Sequence, residues 1–158
     1  MLGSKIFDLK RLILCSPEFL IGLLLFYLFK DNSELFAKIT VAIKGDSNIP
    51  DVVSLLPFSF VAVSYRLGMG VIRPGNEEEN KILYEWPKYW MLEYRFYASL
   101  ITCVICSIAI VWFYLNPDQL SDEVLGVIFV GSISISSMTI FLLAAAKITI
   151  RKIFTLHL

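Results

Sequence analysis

Long apolar runs are the feature that most constrains this chain. Four mostly apolar segments, at about 16–30, 51–72, 96–115 and 124–146, recur through its 158 residues. Hydrophobic residues make up 57% of the chain and charged residues 18%, which leaves more apolar surface than a soluble domain of this size can bury. A bilayer core of about 30 Å needs about 20 apolar residues as a helix. We therefore expect one domain, an all-α integral membrane protein with four transmembrane helices.

The first span begins at a clear helix-start signal. Ser16 is placed to cap the helix, Pro17 suits its first position, and Glu18 suits its positive first turn. Residues 2–15 precede this signal and mix basic with apolar side chains. That mixture is typical of an N-terminal interfacial amphipathic helix lying on the membrane surface.

The same helix is predicted to continue past the apolar run. Lys30, Glu34 and Lys38 follow one another at intervals of four residues, so opposite charges would line one helical face. An apolar stripe accompanies them, and Gly45 is a helix-stop signal. We expect an extracytoplasmic helical extension over residues 31–44, whose apolar stripe needs a partner.

Basic residues predict the orientation, since cytoplasmic loops carry an excess of Lys and Arg. With both termini cytoplasmic, ten basic residues lie inside, whereas Lys30, Lys38 and Lys44 lie outside. This distribution favours a cell inner (plasma) membrane protein with its N-terminus and C-terminus in the cytoplasm. The ten are Lys5, Lys10, Arg11, Arg73, Lys81, Lys88, Arg95, Lys147, Arg151 and Lys152.

The linker between the second and third spans, residues 73–95, is dense in aromatic and charged side chains. Trp and Tyr gather at membrane interfaces because their rings are apolar and their tips polar, so an aromatic belt explains part of it. Aromatic residues mixed with opposed charges are also typical of protein-binding hot spots. The two alternatives are a belt alone and a belt that also docks a cytoplasmic protein. The docking candidates, joined in part by helical spacing, are Trp86, Tyr89, Trp90, Glu93 and Tyr94.

Two ionisable residues lie within or beside the apolar runs. Arg66 falls inside the second span, where its long side chain can reach the interface or pair with a carboxylate. Glu18, at the same predicted edge of the bilayer, is the candidate partner.

The fourth span is rich in small residues, which let membrane helices approach closely. Gly126, Gly131, Ser132 and Ser136 are the candidate packing positions. These residues could pack against other helices of the same chain, or against a second copy of the chain in a homo-oligomer. Serines facing a central axis could also line a pore, although no ring of charge accompanies them.

No catalytic, cofactor or metal constellation is predicted. His157 is the one histidine, and no nucleophile elbow, zinc-protease or phosphate-loop motif occurs. Cys103 and Cys106 form a CxxC inside the third span, and on these two residues the chain resembles thiol–quinone oxidoreductases of the vitamin K epoxide reductase type. Such enzymes need a second cysteine pair, and only Cys15 is left. The zero net charge also argues against direct nucleic-acid binding.

Three interpretations of function follow. The first is a non-enzymatic, oligomeric membrane subunit that anchors or signals to a cytoplasmic partner and senses membrane or envelope events in phage defence. The second is a pore-forming or channel-forming membrane effector, and the third, a remote alternative, is a thiol–quinone oxidoreductase. In size, span count and the stretch "EWPKYWMLEYR", the chain resembles the small four-span membrane subunits of bacterial phage-defence pairs of the Kiwa type. The resemblance implies self-assembly in the inner membrane and a cytoplasmic partner protein.

Overall fold

The computed structural model of the protein describes residues 16–45, 49–75, 77–115 and 120–157. Within these residues the chain is helical and has no strand, which confirms the predicted all-α class. The predicted interfacial helix at residues 2–15 lies outside the described residues. The helices are α1 (Pro17–Asp31), α2 (Ser33–Gly45), α3 (Ile49–Ile72), α4 (Glu77–Glu85), α5 (Tyr89–Leu115) and α6 (Asp122–His157).

Three of the described helices are long and apolar enough to cross a membrane, as expected of a multi-pass membrane protein. The candidate spans are Leu55–Ile72, Tyr89–Leu115 and Asp122–Lys152. They contain most of the predicted second span and all of the third and fourth. Residues 16–30, predicted as the first span, belong to α1, which has 15 residues. Its length of about 22 Å at 1.5 Å per residue is less than a hydrocarbon core.

α3, α5 and α6 pack against one another and form the bundle. Two pairs of side chains, Cys103 beside Ser64 and Ser107 beside Pro57, show that α5 runs antiparallel to α3. The apolar core lies towards the end of α5, where the Phe113 and Phe129 rings are 5.2 Å apart and Ile110 and Leu125 are buried. α1 lies along α6.

The helix predicted to run without a break through residues 16–44 is two helices. Its start is as predicted, because the Ser16 hydroxyl accepts a hydrogen bond from the Phe19 N–H at 3.2 Å. At Asn32, however, the backbone leaves the helical region, and α2 begins at the next residue. The charge ladder from Lys30 to Lys38 is compatible with an unbroken helix, so it could not reveal this break.

The apolar stripe of α2 finds its partner within the chain. α2 packs on the first turns of α6. Phe36 and Thr40 are buried, and Ile43 joins the apolar core. A Cβ built on Gly126 of α6 would overlap the Phe36 carbonyl, so the two helices touch through their backbones. α2 therefore covers one end of the bundle, and the partner expected for its apolar stripe is α6 of the same chain.

Polar contacts hold α2 at this end. The Thr40 hydroxyl donates a hydrogen bond of 2.7 Å to the Asp122 carbonyl. The Lys44 ammonium lies 2.7 Å from the Asp122 carboxylate in an exposed ion pair. We call α2 with the first turns of α6 the closed end. The opposite end, formed by α4, the first two turns of α5 and the last turns of α6, is the open end.

Candidate functional site

The candidate site is the corner between α4 and α5 at the open end. The Asn80 side chain joins the loop before α4 to the helix by donating to the Gly75 carbonyl at 3.1 Å. α4 ends at Glu85 because Pro87 lacks an N–H and disfavours a helical conformation of the residue before it. The chain turns through residues 86–88, and α5 starts at Tyr89.

This corner separates the aromatic residues that helical spacing had joined. Trp86 belongs to the turn, whereas Tyr89 and Trp90 belong to α5, so the predicted common helical face for the three is wrong. The physical reason is Pro87, which ends one helix between them. Trp86 is 49% exposed, and Tyr89 and Trp90 are half-buried.

Aromatic contact holds the corner together. The rings of Tyr84 and Tyr89 meet edge to face, with centroids 5.0 Å apart, a favoured aromatic geometry. Leu83 is buried, while Ile82 and Tyr84 stay about half exposed. The buried Leu83 side chain thus anchors α4. The exposed side of α4 carries the apolar Ile82 and the aromatic Tyr84 next to the charged side chains of Lys81 and Glu85.

Glu93 and Tyr94, the other predicted docking residues, lie on α5 rather than at the corner. Both are half-buried. Tyr94 lines a small cavity of about 140 Å³ with Ser16, Ser99 and Thr102. The structure therefore leaves Trp86 as the most exposed of the five predicted docking residues.

Glu18 lies in the same small cavity, and its ion-pair partner is Arg95. The Glu18 side chain is 15% exposed, and its carboxylate lies 4.0 Å from the Arg95 guanidinium. Arg66, the partner considered from the sequence, is exposed on α3. Sequence reasoning counted Arg95 only as a basic loop residue. Arg95 and Glu18 each lie at the start of an apolar run, and this shared position was the signal that could have identified them as an ion pair.

Small polar side chains fill the middle of the bundle. The Ser64 hydroxyl and the Cys103 thiol are 3.1 Å apart and fully buried. Ser107 donates to the Pro57 and Cys103 carbonyls, and Thr139 donates to a carbonyl of its own helix. These groups satisfy one another or nearby backbone, so their arrangement suits helix packing.

The Ser136 hydroxyl is the exception. It is buried beside the thiols of Cys103 and Cys106 but makes no hydrogen bond within the described part of the chain. The residues described contain no group of three His, Cys, Asp or Glu side chains placed to hold a metal ion.

The four candidate packing residues of α6 are buried inside the single chain. Gly126 faces Phe36 of α2, and Gly131 faces Leu25 of α1. Ser132 and Ser136 are buried as well. The close approach that these residues permit is thus taken up by helices of the same chain.

A groove of about 680 Å³ lies behind the corner, between α4, the start of α5 and the end of α6. Sequence reasoning missed it because it depends on how three distant segments meet. Its lining residues are Ile82, Leu83, Glu85, Trp86, Leu92, Ala146, Thr149 and Ile150.

Comparison with known proteins adds no information about the role of this corner. No family model, curated protein or solved structure matches the chain.

Proposed function

We propose that this protein is a non-enzymatic, multi-pass membrane subunit that docks a soluble protein partner at its open end. The observation that carries the proposal is the exposed aromatic edge of the α4–α5 corner. Tyr84 and Trp86 are 46% and 49% exposed, and they belong to a helix and a turn that lie outside the three candidate spans. Exposed aromatic side chains among opposed charges are the composition of binding hot spots.

An interfacial belt alone accounts less well for this corner. A belt residue needs a ring at headgroup level and a tip in water, a role that suits Tyr89 and Trp90 at the start of the α5 span. Trp86 and Tyr84 are carried by the turn and by α4, whose other exposed side chains include Glu77, Lys81 and Glu85. A surface with this mixture of ring and charge favours a protein partner.

The same proposal places the open end in the cytoplasm of a bacterial cell, at the inner membrane. The positive-inside rule supports it, since Lys30, Lys38 and Lys44 alone among the described basic residues lie towards the closed end. The described basic residues towards the open end are Arg66, Arg73, Lys81, Lys88, Arg95, Lys147, Arg151 and Lys152.

α1 is proposed as the fourth span, which would leave both termini in the cytoplasm. The support is its surface: the outer face of α1 carries exposed apolar side chains that lipid would solvate. Local thinning of the bilayer can accommodate a short helix. The exposed apolar residues of α1 are Phe19, Leu20, Leu23, Leu24, Phe26, Tyr27 and Leu28.

Self-assembly into a homo-oligomer and a role in phage defence complete the proposal, as the resemblance to phage-defence subunits implies. Because Gly126 and Gly131 are covered by α2 and α1, a second copy would have to use another face. The concave face between α3 and α5, which includes Pro57, Ala62 and Val104, is the candidate for that contact.

A pore is the weaker alternative. Its polar lining would come from the hydroxyl groups in the middle of the bundle. Ser64 and Thr139 are fully buried there and bonded to a neighbouring thiol and a helix carbonyl. Opening a path through them would break these contacts, and the buried polar residues in the described part of the chain are all Ser or Thr, which carry no charge to attract an ion.

Copurification tests the docking proposal. Trp86→Ala together with Tyr84→Ala should lower the affinity for the soluble partner by about 30-fold or more, since one hot-spot residue contributes about 2 kcal/mol, and the partner should then be lost from the purified membrane protein. Trp112→Ala is the matched control, because Trp112 is equally exposed, at 50%, but lies on the α5 span. Equal recovery with both variants would refute docking at the corner.

Reporter fusions test the topology. A reporter that is active only in the cytoplasm should be active when fused before residue 1 and also when fused after residue 158. Activity at one terminus alone would show that α1 does not cross the membrane, and it would leave the docking test unaffected.

A further inference from the structure

The groove behind the corner is apolar where the candidate spans form its walls and carries its charge outside them. Leu92 lines it in the first turn of the α5 span, and Ala146 and Ile150 line it near the end of the α6 span. Glu85 and Trp86 line it from the end of α4 and from the turn, outside the three spans. The groove therefore lies at the level where acyl chains meet phospholipid headgroups.

The walls of the groove suit an acyl chain. Apart from Glu85 and Thr149, its described lining residues are aliphatic or aromatic. At about 680 Å³ the groove lies within the size range of small-molecule sites. Ile82, Trp86 and Thr149 are exposed, so the groove is open along one side. An acyl chain can therefore enter it from the bilayer.

The groove carries a single charge, and that charge is negative. Glu85 is the one ionisable group among the described lining residues. Lys81, one turn earlier on α4, has the spacing of an ion-pair partner, but within the described residues no base lies within 4.0 Å of the Glu85 carboxylate. An ionised carboxylate only accepts hydrogen bonds. The charge that complements this groove is therefore a cation with N–H donors.

We propose that the groove binds one phospholipid of the phosphatidylethanolamine class, with an acyl chain along Leu92 and Ile150 and the headgroup ammonium at Glu85. The primary ammonium donates charge-assisted hydrogen bonds to the carboxylate, which are stronger than those between neutral groups. The methyl groups of a choline headgroup remove these donors, and a glycerol headgroup lacks the positive charge. The site needs no soluble partner, so it is independent of docking at the corner.

Lipid competition with the purified full chain tests the site. The chain is reconstituted in equal parts of phosphatidylethanolamine, phosphatidylcholine and phosphatidylglycerol with matched acyl chains, and native mass spectrometry identifies the lipid that it retains. One phospholipid should remain bound, with phosphatidylethanolamine favoured about fivefold over phosphatidylcholine and phosphatidylglycerol retained least. A fivefold preference equals about 1 kcal/mol, the upper end of the range for an exposed ion pair.

A first pair of variants tests the carboxylate. Glu85→Gln removes the negative charge and keeps the size of the side chain, so it should abolish the preference for phosphatidylethanolamine while the apolar walls still retain a phospholipid. Glu77→Gln is the matched control, because Glu77 is exposed on the same helix but does not line the groove. This control should keep the preference of the unaltered chain.

A second pair of variants tests the apolar walls. Ala146→Phe fills the groove and should abolish lipid retention, whereas Ala145→Phe, at the neighbouring exposed position, should retain the lipid. Circular dichroism confirms that each variant is folded. If Ala146→Phe does not fold, Thr149→Phe on the same wall replaces it. Tyr84 and Trp86 are unaltered in all these variants, so a negative result here leaves the docking test unaffected.

Four outcomes overturn the proposal. The first is retention of the three lipids in the proportions of the bilayer, which indicates nonspecific lipid. The second is an unchanged preference in Glu85→Gln, and the third is lipid retention by a folded groove variant. The fourth is a full chain without lipid that gains one when residues 2–15 are deleted, which would show that its own N-terminal segment fills the groove.

Discussion

The two ends of the bundle are held by different kinds of contact. At the closed end, α2 meets α6 through backbone, where the Phe36 carbonyl occupies the space over Gly126 and Thr40 bonds to the Asp122 carbonyl. At the open end, α4 is anchored by side chains such as Leu83 and leaves a groove behind it. Backbone contact allows little adjustment, whereas side-chain contact allows repacking. The closed end is thus the more rigid of the two, and the open end has more room for its side chains to repack.

The largest effect is expected at the backbone contact. Gly126→Ala should lower the free energy of unfolding in a mild detergent by about 3 kcal/mol, because its Cβ would overlap a carbonyl that cannot rotate away. Gly22→Ala is the control, since nothing lies within 4 Å of a Cβ there, and it should be neutral or slightly stabilising. Equal stability of the two variants would contradict the close approach of α2 to α6.

A smaller effect is expected where the glycine faces a side chain. A Cβ on Gly68 would overlap the buried Phe96 ring, and a ring can shift, so Gly68→Ala should cost about 2 kcal/mol. The same thermal unfolding measurement applies. Adding Phe96→Leu should restore part of the loss. A double variant no more stable than expected from the two single changes would show that the ring is not the obstacle.

Removing one threonine hydroxyl at each end compares how much a hydrogen bond contributes to stability at the two ends. Thr40→Val removes a hydrogen bond between α2 and α6 and should lower the free energy of unfolding by about 1 kcal/mol. Thr149→Val at the open end removes only a bond to a carbonyl of its own helix and should change stability by less than about 0.5 kcal/mol. A larger loss of stability for Thr149→Val than for Thr40→Val would contradict the contrast between the ends.

The smallest effect is expected at the exposed ion pair of the closed end. Lys44→Gln should cost about 0.5 kcal/mol or less at low salt, since the side chains of Lys44 and Asp122 are 34% and 43% exposed. The loss should shrink as salt is raised. Unfolding curves at two salt concentrations measure it, with Lys38→Gln as control. A large, salt-independent loss would mean that the pair acts as a buried contact.

Local signals predicted much of the helical architecture. Ser16 caps α1 as its sequence position indicates, Gly45 is the last residue of α2, and the later apolar runs lie in helices able to cross a membrane. Each of these predictions depends on neighbouring residues alone. The sequence also marked Gly126 as a position of close approach but could not name Phe36 as the group approached.

The remaining features depend on contacts between distant segments. The break at Asn32 lets α2 turn onto α6, and the charge spacing around it gives no sign of this. Pro87 separates Trp86 from the helix that carries Tyr89 and Trp90, and the aromatic spacing, which suits one helix, gives no sign of this separation. The groove could not be predicted, since its walls are drawn from residues 82–92 and 146–150.

The contact between α2 and α6 has a consequence for biosynthesis. Thr40 and Asp122 are 82 positions apart, and α6 is the last described helix to leave the ribosome. Until it emerges, Phe36 and Leu25 lack the surfaces that bury them. Synthesis of the early helices therefore precedes their final packing, and a chain interrupted before residue 122 would leave Phe36 and Leu25 exposed and prone to aggregation.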